Sequence, residues 1–180
     1  MEETSQKSIA YQREVLELVT VAVQTCAYLE HASEHERDEF VDTMLKLLPL
    51  LYLKGMLLPS FDSDEDVVLE EAVTEENYNI VRNNIAVVMG EQDDYLDVFV
   101  EDMKYSETPI LATVSENLAD IYQDLKNFCV EFHRQSEDTM IEAVAQCRQN
   151  FEWYWGQKLM NVMREAKIGR AGQQECRDRS

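Results

Sequence analysis

Between Val15 and Val162 the apolar residues of this chain recur at steps of three and four, the repeat of a helical face, and no stretch alternates at period two. That periodicity restricts the chain to packed helices. Composition supports it. Five Gly and three Pro are about 4% of 180 residues, against an average near 12%. A sandwich or barrel would need a Gly- or Pro-bearing turn every few residues. With 45% hydrophobic residues a real core can form.

The spacing predicts a first helix over residues 8–31. Val15, Leu18, Val19, Ala22, Cys26 and Leu29 share one face, and Leu16, Val21 and Val23 widen it enough to be covered on two sides. Ser33-Glu34-His35-Glu36 has the form of a capping box. It opens a second helix to about residue 57, with Asp42 and Lys46 on its polar edge and a kink expected at Pro49. Residues 44–58 are the most apolar stretch, yet they contain Lys46, Pro49, Lys54 and Gly55. A membrane span needs about 20 predominantly apolar residues, so this reads as a buried helix. Residues 59–73 read as a loop.

Thr74 with Glu75 and Glu76 opens a third helix, striped by Tyr78, Val81, Ile85 and Val88 and ended by Gly90. Asp93 or Asp94 would cap a short fourth helix bearing Leu96, Phe99, Val100 and Met103. Residues 105–109 form a break. A fifth helix carries Leu118, Ile121, Tyr122, Leu125, Phe128, Cys129 and Phe132. Ser136-Glu137-Asp138 caps a last long helix to about residue 168, with Val144, Cys147, Phe151, Tyr154, Trp155, Leu159 and Val162 inward. The expected fold is all-α: one antiparallel bundle of about six helices over residues 1–168, its second helix kinked and buried. A flexible polar tail, 169–180, follows.

Several strings resemble an uncharacterised bacterial family, domain-of-unknown-function family 5063. They are Glu36-Arg37-Asp38-Glu39-Phe40-Val41-Asp42, Leu47-Leu48-Pro49-Leu50-Leu51-Tyr52-Leu53-Lys54, Asp93-Asp94-Tyr95-Leu96, Glu101-Asp102-Met103-Lys104-Tyr105-Ser106, Leu118-Ala119-Asp120-Ile121-Tyr122-Gln123-Asp124-Leu125-Lys126 and Tyr154-Trp155-Gly156. The resemblance covers most of residues 10–165. It implies an all-helical domain of about this length and supplies no catalytic residues.

Charge bounds the partners. Sixteen basic against 36 acidic residues leave a net charge of −20, which repels phosphate backbones and argues against nucleic acid. The acidic, polar start Met1-Glu2-Glu3-Thr4 lacks the form of a signal peptide. A cytoplasmic location with reduced thiols is therefore expected. Cys26, Cys129 and Cys147 fall on apolar faces and read as small core residues, whereas Cys176 lies in the tail. Residues 156–180 carry six basic and three acidic groups, a local net +3 that suits a helix C-terminus.

Chemical motifs are few. His31-Ala32-Ser33-Glu34-His35 matches the inverted zinc-protease pattern, but it straddles an expected helix end. Asp62-Ser63-Asp64-Glu65-Asp66 starts like a calcium loop, but Val67 and Val73 stand where Gly and Glu belong. Neither a phosphate-cradling glycine loop nor the Glu-x-x-His pairs of a di-iron bundle occur. Glu14 and Glu17, followed by Glu39 and Asp42, resemble the magnesium carboxylates of all-α nucleoside triphosphate pyrophosphohydrolases. A hairpin turning near Ser33 sets Glu17 level with about residue 50, roughly 12 Å along the helix from Asp42. Two acidic stripes are expected on helical faces: Asp94, Asp97 and Glu101, and Glu116, Asp120 and Asp124. Such like-charge stacking would be relieved by a basic partner or a cation. Trp153 and Met160 fall off the core stripe, beside the mid-helix Gly156. A glycine there costs about 1 kcal/mol and implies a close second backbone, from another helix of this chain or from a second subunit. The expected function is a non-enzymatic interaction domain with a basic protein partner or a homodimer contact, and no cofactor. A metal-dependent hydrolase is the alternative.

Overall fold

The computed structural model describes residues 9–61, 67–97, 110–134 and 136–178; the side chains of Asp97 and of residues 170–178 fall outside that description. Among the described residues, helices dominate: α1 (Arg13–Glu30), α2 (Arg37–Met56), α3 (Glu75–Met89), α4 (Val114–His133), α5 (Glu137–Asn150) and α6 (Gly156–Asp178). A π-helical turn, Phe151–Trp155, joins the last two into one run. No helix among these residues is long and apolar enough to cross a membrane.

Helix α4 is the hub and packs against α1, α3, α5 and α6. Its position follows from its sequence. Leu118, Ile121, Tyr122, Leu125, Phe128 and Phe132 bury a broad apolar arc, and Ala119 lets a neighbour approach on another side. Around it α1 buries Val15, Leu18, Ala22, Cys26 and Leu29, and α3 buries Val81, Ile85 and Met89. Leu16 and Val23 remain exposed, so α1 is covered on one side rather than two. Helix α2 buries Phe40, Met44, Leu48 and Leu51 against α1 and α6, while Leu50, Leu53 and Met56 face outward. Pro49 lies inside this helix on its exposed side, where its missing N–H leaves the carbonyl of Leu45 without a helical donor.

The helix ends are settled by short-range chemistry. Thr74 accepts from the amide of Asn77, and Gly90 ends α3 with φ +56°. Ser33 does not cap α2. Residues Ala32–Glu34 tighten into a 3₁₀ turn, Glu36 occupies the cap position, and α2 starts at Arg37. Ser136 precedes α5 without a side-chain capping bond. Helix α6 runs on past Gly169, with no proline to stop it.

Where the fourth helix was expected to start, the described residues form a strand. β1 (Asp94–Asp97) pairs antiparallel with β2 (Ile110–Thr113), Tyr95 opposite Ala112 and Leu96 opposite Leu111. Tyr95 turns inward while Leu96 and Leu111 stay exposed. Four residues are too few to display period-two alternation in the sequence. Phe99, Val100, Glu101 and Met103 lie outside the described residues, as does the acidic loop Asp62-Ser63-Asp64-Glu65-Asp66. Buried Asp93 ties the hairpin to α4: its carboxylate accepts from the Ser115 amide and hydroxyl, both at 2.7 Å. An anion there also meets the positive end of the α4 dipole.

Candidate functional site

One face of α4 carries polar side chains where a hub helix would be expected to be apolar: Asn117, Asp120, Asp124, Asn127 and Glu131. Two of them hold backbone. The Asn127 side-chain oxygen accepts from the amides of Ala72 and Val73 at 2.8 and 2.9 Å, and Glu131 Oε1 accepts from the amide of Glu70 at 3.3 Å. The segment before α3 is thereby pinned to α4. Glu131 is also paired with Arg134 at 3.0 Å.

Asp120 is neutralised from within the chain. Lys158 of α6 reaches its Oδ2 at 2.7 Å, and the Tyr78 hydroxyl donates to its Oδ1 at 2.8 Å. Lys158 also donates to Asn117 at 3.4 Å and lies 4.6 Å from the ring centre of Tyr154. The ammonium is therefore surrounded by a carboxylate, an amide oxygen and an aromatic face. The Tyr154 hydroxyl is pushed up to about 12, first by burial and then by the charge of Asp120.

Asp124, one helical turn on, differs. Its Oδ1 accepts from the Asn150 amide at 2.6 Å, and it makes no ion pair among the described residues. Burial raises its carboxyl to about 6; the charge of Asp120 adds to the rise, while Asn150 and Lys158 oppose it. Asp124 lines a cleft of about 400 Å³ between the 69–71 segment, α4, α5 and the π turn. Gln123, Asn127, Gln146 and Asn150 supply amides, Glu70, Glu71 and Glu131 carboxylates, and Leu69, Phe128, Ala143 and Tyr154 apolar surface. Among the described residues, no Lys or Arg lines it.

Glu116 is exposed one turn before Asp120, in the first turn of α4. Asp94 is exposed on β1, and an extended strand has no helical face on which Asp94 and Asp97 could stack; Glu101, the third of that expected stripe, lies outside the described residues. Glu17 is held by Lys54 at 2.5 Å and Arg13 at 2.6 Å, which lowers its carboxyl from the ordinary value. Glu39 faces His35 at 3.4 Å, at the other end of α2. Glu14 and Glu17 thus sit beside the C-terminal end of α2, whereas Glu39 and Asp42 lie in its first two turns. Among the described residues no three His, Cys, Asp or Glu side chains gather as metal ligands. The zinc-like histidines are occupied separately: His31 contacts Glu34 at 2.9 Å, and His35 stacks on Tyr28.

Trp153 is 81% and Met160 47% exposed. Gly156 has a different cause from the one expected. Its amide bonds to the Phe151 carbonyl across the π turn, which places that oxygen where a Cβ would go. A close approach occurs at Gly55 of α2 as well, but to a side chain: a Cβ there would stand 2.6 Å from the Phe151 ring. The extra residue of the π turn also shifts the helix phase. Trp155 is fully buried and donates to the Cys147 carbonyl at 3.3 Å, while Tyr154 rotates outward to 47% exposure.

Cys26 and Cys147 are buried and Cys129 half-buried; burial raises all three thiols, that of Cys129 to about 12. They are packed, poorly ionised groups. Cys26 and Cys129 line a second, mainly apolar groove of about 430 Å³ between α1 and α4. The Cys176 side chain lies outside the described residues.

A family model for "Domain of unknown function (DUF5063)" matches residues 9–167. The chain belongs to this family. A solved structure, protein BF1032 from Bacteroides fragilis, is 43% identical over 88% of this chain and 93% of its own, with a TM-score of 0.79. The two chains share their fold. No functionally curated protein matches the chain.

Proposed function

We propose that this DUF5063 domain is a non-enzymatic protein-interaction module of the cytoplasm that binds a partner with a basic, partly apolar surface. The exposure of Trp153 carries the reading. A large aromatic side chain left 81% exposed beside the cleft-lining Tyr154 forms an anchor next to an acidic recess. Such residues dominate binding energy at interfaces. Leu50, Leu53 and Met56 of α2 add further exposed apolar side chains. Net charge −20 favours a basic partner over a second copy, which would bring like charge onto like.

The test is retention of a basic protein from the native cell on the immobilised domain. Retention should fall as salt rises, because exposed charges are screened beyond about 8 Å at physiological ionic strength. Trp153→Ala with Met160→Ala should abolish it while leaving the melting temperature unchanged. Binding indifferent to salt, or untouched by the double substitution, overturns the reading.

A further inference from the structure

We propose that the α4–α5 cleft at Asp124 is a binding site for a compact alkylammonium group, the chemistry shared by a free primary amine and a lysine side chain. It deepens the interaction reading above by naming what the acidic recess takes. The argument starts from Lys158. The chain shows how this wall solvates an ammonium: Asp120 on one side at 2.7 Å, the Asn117 oxygen at 3.4 Å, and the Tyr154 ring at 4.6 Å. One turn along α4 a related set recurs. Asp124 stands in for Asp120, with the Asn150 amide donating to it, Gln123 adds a second amide to the lining, and Tyr154 is shared. Here the set opens into about 400 Å³ of space rather than onto a lysine.

Shape and charge narrow the ligand. Among the described residues the lining holds no Lys or Arg; its carboxylates disfavour an anion, and while Arg134 pairs Glu70 and Glu131, Asp124 makes no ion pair. Phe128 and Leu69 offer apolar surface to a short methylene stem. The recess is far too small for a folded partner and ample for one side chain. Asp124 is held near neutrality by burial, and an ammonium would stabilise its ionised form.

Calorimetric titration at constant ionic strength tests this with n-butylammonium chloride and, separately, Nα-acetyl-lysine N-methylamide. Wild type should bind both at pH 7.5, and the tighter of the two marks the source. Asp124→Asn keeps an acceptor for the Asn150 amide and should weaken binding at least tenfold with the fold intact. Glu91→Gln, the same charge change on an exposed residue outside the cleft, should leave it unchanged. At pH 5, one unit below the Asp124 carboxyl at about 6, affinity should fall about tenfold, and Asp124→Asn should lack that step. The other groups facing Asp124 are Asp120 and Glu131 on its own helix, Cys147 on α5, Tyr154 and Lys158 beyond it, and Glu70 and Glu71 opposite. Cys147 and Tyr154 are raised by burial and stay neutral at both pH values. No binding of either probe, equal loss in Glu91→Gln, or equal binding of n-butanol overturns the proposal. Because neither probe involves Trp153, failure here leaves salt-dependent partner retention as a separate result.

Discussion

Asp124 carries a stability cost whose sign can be worked out. Its carboxyl lies at about 6 in the fold against 3.8 ordinarily, so the folded state holds the proton more tightly than the unfolded one. Its favourable contribution is complete below pH 4 and is lost as pH rises through 6. Two units correspond to at most about 3 kcal/mol. Asp124→Asn should therefore raise the melting temperature at pH 8, with the gain shrinking toward zero near pH 4. A pH series of calorimetric melts checks this, and a gain that does not depend on pH refutes the desolvation account.

At the scale of elements, the π turn and the pinned 69–73 segment make separate predictions. A Cβ at Gly156 meets a backbone carbonyl, which cannot move aside. Gly156→Ala should cost on the order of 1–3 kcal/mol by urea denaturation, despite alanine's better helix propensity. Asn127 satisfies two backbone amides with one oxygen. Asn127→Leu leaves both without that acceptor, at about 1–3 kcal/mol each where water cannot replace it. Hydrogen exchange at Ala72 and Val73 should accelerate more than exchange in the middle of α4. Equal acceleration in both would mean that the substitution unfolds the molecule globally. These elements also show what was legible beforehand. The Thr74 cap and the Gly90 stop were readable because each acts within a few residues. The Ser33 box was misleading because a 3₁₀ turn satisfied that stretch first.

At the scale of the whole molecule, charge dominates. With 36 acidic groups against 16 basic, copies of the chain repel one another at low ionic strength. Light scattering should give a monomer at low salt. Any self-association should appear only as salt rises, and should vanish in Trp153→Ala. A dimer that forms at low salt and survives Trp153→Ala would place the self-contact elsewhere.

The amino-acid sequence by itself determined the helical class and the inward stripes of α1, α3 and α4. Helical periodicity and caps are properties of residues within one or two turns of each other. Only the tertiary structure decided the β1–β2 hairpin, because strand pairing joins segments whose individual patterns are four residues long. It also decided that Asp120 is neutralised by Lys158 whereas Asp124 is not, although the two are equivalent on their own helix. That difference arises from where a lysine on a different helix can reach. The phase slip at Phe151–Trp155 buries Trp155 and leaves Tyr154 lining the cleft, and Phe151 packs against Gly55 of α2. Distances across the bundle carry no trace in local spacing, and the candidate site is made of them.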